Sequence, residues 1–63
     1  MNASQLLDKA LLKVESQSIR NWVLEQRDIW EKIAQLYVDK KVYLEGSTPE
    51  GALHFDIIIT AIG

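Results

Sequence analysis

Leu7, Ala10, Leu11 and Val14 recur at the i, i+3, i+4, i+7 spacing of one helix face, with Leu6 flanking it and Leu12 pointing away. Ser4 or Asn2 is a fitting N-cap, and Asp8 lies toward the positive end of the dipole. The pattern predicts a first helix from about Ser4 to Glu15. The polar stretch "SQS" interrupts it, and Ser18 is placed to cap a second segment.

From Ile19 to Lys41 the period stays helical. Ile19, Trp22, Val23, Ile29, Trp30, Ile33, Ala34, Leu36 and Tyr37 fall within one wide arc at about 100° per residue. Arg20, Asn21, Glu25, Arg27, Asp28, Glu31, Lys32, Gln35 and Asp39 occupy the opposite side, with Leu24 and Val38 as apolar exceptions there. Asp28 and Lys32 make an i, i+4 pair and Lys40 and Lys41 suit the negative end of the dipole, so the stretch reads as one helix of about 20 residues.

After Lys41 the pattern changes to alternation. "KVYLE" reads as a short strand, "GSTPEG" as a turn and "ALHFDIIITAI" as a longer strand. Leu53, Phe55, Ile57, Ile59 and Ala61 would share one face, and His54, Asp56, Ile58, Thr60 and Ile62 the other. The expected fold is a single α+β domain over residues 1–63, two helices followed by a C-terminal β-hairpin.

The two strands differ in length. Residues 57–62 would overhang the hairpin with an unpaired edge and apolar side chains on both faces, a hazard that natural sheets cover or charge. Pairing with the same overhang of a second chain would complete a sheet across a two-fold axis. The expected oligomer interface is therefore Phe55, Ile57, Ile58, Ile59 and Ile62.

Length strengthens that expectation. A 63-residue chain buries only about 60% of its unfolded surface and needs support from disulfides, metal or association. It has no cysteine and one histidine, which excludes disulfides and points away from a metal site. Neither a basic leader nor a membrane-length apolar run is visible, so the expected compartment is the cytoplasm.

Trp22, Gln26 and Trp30 follow one another at four-residue intervals, which places a polar amide within the apolar arc. A buried amide needs hydrogen-bond partners. The three residues line either the core or a partner groove, since tryptophan is common at interface hot spots.

For catalysis, His54 beside Asp56 on one strand face is the only pairing with acid–base character, and no activated nucleophile or phosphate loop accompanies it. The chain is expected to be non-enzymatic and to use no cofactor. Nucleic-acid binding would fall to Arg20, Arg27, Lys40 and Lys41. The net charge of −2 and the acidic residues of the second helix oppose it. The expected function is that of a small interaction module: an oligomeric adaptor, assembly subunit or inhibitor of a larger protein, of the size common among phage and plasmid accessory factors. A dimeric nucleic-acid-binding or regulatory protein is the alternative.

Overall fold

Asn2 starts the first helix. Its Oδ1 accepts from Gln5 N at 2.9 Å while Gln5 Oε1 accepts from Asn2 N at 3.1 Å, a reciprocal capping box. Helix α1 then runs Ala3–Lys13. The computed structural model describes residues 1–40 and 46–63. Over them the chain forms three more helices, α2 (Gln17–Glu25), α3 (Arg27–Lys40) and α4 (Pro49–Ile62), and no strand.

The α+β expectation is thus overturned. Residues 52–62, read as the long strand of a hairpin, belong to a helix, so the fold among the described residues is all-α. The partner strand "KVYLE" lies outside the described residues. Thr48 sets the course of α4: its Oγ1 accepts from Gly51 N at 3.1 Å, Pro49 takes the first turn and Glu50 faces the positive end of the dipole. Gly46, at φ +89°, sits in the left-handed region just before this cap. A helix closes its backbone hydrogen bonds internally, which removes the unpaired edge that a lone strand would present.

The long second helix is also corrected. Ser16, rather than Ser18, caps α2, with its Oγ accepting from Ile19 N at 3.2 Å. At Gln26 the backbone turns aside to φ −119°, ψ 30°. Gln26 N still donates to Val23 O, and Gln26 O accepts from both Ile29 N and Trp30 N. One residue therefore ends α2 and begins α3.

Leu6, Leu7, Ala10, Leu11 and Val14 of the α1 segment fill the centre of the core. Packed on them are Val23, Trp30, Ala34, Tyr37, Leu53 and Ile57. Helix α1 lies mainly against α3 and α4, and α2 makes lighter contact with those two. Each fully buried Leu, Ile or Val contributes about 1.5–3 kcal/mol. No polar or charged residue is buried among the described residues.

Candidate functional site

Helix α4 is apolar around most of its circumference. Its inward side carries Leu53 and Ile57, both 0% exposed. A step of two residues turns a helix by about 200°. Phe55 and Ile59 accordingly face away from the core at 67% and 62% exposure, and Ile62 joins them at 79%. These three stand at i, i+4 and i+7 on one outward stripe. Ile58 is half-buried against the edge of the core. The five residues expected at an oligomer interface are therefore divided: Phe55, Ile59 and Ile62 form one solvent-facing patch, Ile58 borders the core, and Ile57 is within it.

Beside Phe55 is a groove of about 440 Å³, lined among others by Lys13 of α1 and by Thr48, Gly51 and Ala52 at the start of α4. The small residues Gly51 and Ala52, one turn before Phe55, leave this space open. Exposed Lys13 adds a positive charge at its edge.

A second apolar set lies on α2 and α3. Leu24, Ile29 and Leu36 are 48%, 55% and 48% exposed, and Ile33 is half-buried. The wide arc read from the sequence is split lengthwise. Trp30, Ala34 and Tyr37 turn into the core, while Ile29 and Leu36 remain outside.

The tryptophans meet each other. Trp22 and Trp30 pack edge to face, with ring centroids 5.9 Å apart at 70°. Trp30 is only 3% exposed, whereas half-buried Trp22 lines a groove of about 310 Å³ with Ser18, Ile19 and Ala61. Gln26 Nε2 donates to Trp22 O at 3.2 Å, so its amide finds a partner within the chain at the α2–α3 break. Leu24, Gln26 and Ile29 line a further concavity at that break.

Of the basic residues singled out in the sequence, Arg27 is committed to ion pairs within the chain. Arg27 reaches across to α1: Nη2 donates to Asp8 Oδ1 at 2.9 Å and to Ser4 Oγ at 2.8 Å, and Nε donates to Glu31 Oε2 at 2.6 Å. The Asp8 and Glu31 carboxylates hold the guanidinium pKa above its ordinary value, against the opposing effect of burial. Arg20 is half-buried, with an Nε that is enclosed and unpartnered among the described residues. Lys40 is exposed at the end of α3, and Lys41 lies outside the described residues.

The His54–Asp56 pairing does not survive the change from strand to helix, because residues two apart point to different sides. His54 borders the Phe55 groove, while the charge of Asp56 acts on Tyr37. Burial first, and Asp56 second, push the Tyr37 phenol up. No group of three His, Asp or Glu residues suited to a metal ion occurs among the described residues. None of the described helices is long and apolar enough to cross a membrane.

Sequence reasoning missed the groove residues Lys13, Gly51 and Ala52, and the split of the α3 arc. A signal for the outward patch was present: Phe55, Ile58, Ile59 and Ile62 fit a helical period, and Thr48-Pro49-Glu50 is a helix-start sequence. No protein-family model matches the chain, and no curated protein or solved structure is significantly similar to it.

Proposed function

We propose that the protein is a non-enzymatic interaction module that acts as a homo-oligomer in the cytoplasm and binds another protein, as an adaptor, assembly subunit or inhibitor. The observation that carries this reading is the outward stripe of α4, where Phe55, Ile59 and Ile62 stand on the side opposite the core. A helix that is hydrophobic all round is ordinarily buried all round. At these exposures the three side chains present on the order of 400 Å² of mostly apolar surface, the scale at which a patch on a small protein is often functional. The Leu24–Ile29–Leu36 surface supplies a second face, so self-association and partner binding need not compete. The nucleic-acid alternative has weaker support, since the Arg27 guanidinium is engaged by Asp8 and Glu31.

Light scattering from low to high micromolar concentration tests the reading. The expected result is a mass rising above the 7.2 kDa of one chain. Ile59→Lys should return it to one chain with an unchanged far-ultraviolet dichroism spectrum. A cation in the second half of α4 suits the helix dipole, so this change perturbs the surface more than the fold. A chain that stays at 7.2 kDa throughout would overturn the homo-oligomer.

A further inference from the structure

We infer that the outward stripe of α4 pairs with the same stripe of a second copy, antiparallel, about a two-fold axis near Ile59. This rests on the homo-oligomer reading and specifies its geometry. Two arguments select the occupant and the direction.

The first is self-complementarity. An isologous interface must match a surface to its own reversed image. Reversing α4 about the middle of the stripe places Phe55 opposite Ile62 of the other chain and brings the two Ile59 side chains beside each other next to the axis, about 1.5 Å out of register. Every large exposed apolar side chain of the stripe then meets another one. Ile62, the most exposed of the three at 79%, is brought beside Phe55, where Gly51 and Ala52 leave the groove open.

The second is charge. The last turn of α4 carries no basic residue to offset the negative end of its dipole. A parallel pair would set two such ends side by side. The antiparallel pair carries each end toward Lys13 of the other chain, at the edge of the Phe55 groove. Lys13 then does across the interface what a C-terminal lysine does within a helix.

The area sets the strength. With about 400 Å² from each chain, the pair buries less than the roughly 1,200 Å² of a typical stable interface. The dimer is accordingly concentration-dependent, with dissociation in the micromolar range rather than the nanomolar.

Because the chain contains no cysteine, single cysteines report the geometry directly. The full chain is prepared as Ile59→Cys, Phe55→Cys, Ile62→Cys and, as a control on the other apolar face, Leu36→Cys. Each is checked for helicity and oxidised mildly at concentrations spanning the association. Ile59→Cys should form disulfide-linked dimers at least several-fold faster than Leu36→Cys. A mixture of Phe55→Cys and Ile62→Cys should link to each other faster than Phe55→Cys links to itself, because the axis separates the two Phe55 positions by about 10 Å along the helix. Adding Lys13→Glu to Ile59→Cys should weaken dimerisation roughly tenfold, since two-fold symmetry counts each helix-end contact twice. If the protein associates but Phe55→Cys links to itself as fast as the mixture, the antiparallel pairing is wrong. If it associates while Ile59→Cys links no faster than Leu36→Cys, another face mediates assembly. Either result leaves the homo-oligomer standing, whereas a monomer at every concentration removes both.

Discussion

Ile57 and Ile59 are two residues apart, chemically identical and opposite in environment. In a strand they would share one face and respond alike to substitution. In α4 one is 0% exposed and the other 62%. Replacing each separately by valine removes a single methylene and leaves helix propensity almost unchanged, so the difference between the variants measures burial alone. Ile57→Val should cost about 0.5–1.5 kcal/mol through lost transfer energy and an imperfectly filled space. Ile59→Val should stay within about 0.5 kcal/mol, as for ordinary surface changes. Valine keeps the comparison measurable, because a domain of this size has only about 3–9 kcal/mol of stability and Ile57→Ala could remove most of it. Urea unfolding followed by dichroism, at a concentration below association, is the assay. With a slope near 1 kcal/mol/M, the Ile57→Val midpoint should fall by about 0.5–1.5 M while that of Ile59→Val barely moves. Equal shifts would refute the helical assignment of the C-terminal segment and return it to a structure in which both residues face the same way.

Arg27→Met keeps the aliphatic stem and removes the contacts to Asp8, Ser4 and Glu31. Because these groups are partly exposed, the expected loss is about 1 kcal/mol. The gap from wild type should narrow in about 1 M salt, where screening shortens to about 3 Å; urea midpoints at low and high salt that are indifferent to the substitution would show that Arg27 does not hold α1 to α3. The Tyr37 phenol titrates above its ordinary value near pH 10 because burial and Asp56 favour its neutral form. Its contribution to stability is therefore fully present below about pH 10 and is lost as pH rises through the folded-state value. Tyr37→Phe should flatten the alkaline fall in stability, and identical thermal-melt profiles across pH 9–12 would contradict this.

The first helix was legible because four apolar positions at helical spacing followed two candidate caps, Ser4 and Asn2, of which Asn2 is the one used. The break at Gln26 was not, since neither glycine nor proline marks it. What accompanies it is tertiary and leaves no local mark: Arg27 is tied to α1, and the two tryptophans pack edge to face on either side of the turn. The C-terminal segment misled for a different reason. Ile, Phe and Thr favour strands, and "HFDIIITAI" satisfies alternation as readily as a helical period. Thr48-Pro49-Glu50 favours helix, but its proline and the flanking glycines equally suit a turn. What decides between them is the core, which takes Leu53 and Ile57 at a spacing of four. The same ambiguity hid the candidate site. An excess of apolar residues on both sides of the segment was visible, but which of them faced out depended on the period. With a period of two, Ile57 and Ile59 belong together; with 3.6, Ile59 belongs with Phe55 and Ile62.

Helix α4 is anchored in the core, chiefly against α1, through two deeply buried side chains. Leu53 and Ile57 are the only α4 side chains buried below a tenth of their surface, with half-buried Ala52 and Ile58 beside them. Two such anchors supply on the order of 3–6 kcal/mol before the entropy of ordering the segment is subtracted. Opening of the core around these anchors would release α4 and dissolve the outward stripe with it. Whatever covers its outer stripe stabilises the docked state by mass action, and whatever loosens its inner side weakens that binding equally. The inner and outer faces of α4 are therefore not separate assets, one structural and one functional. They are the two ends of a single equilibrium: under the proposed pairing, the concentration of the second copy sets the fraction of chains in which α4 stays docked.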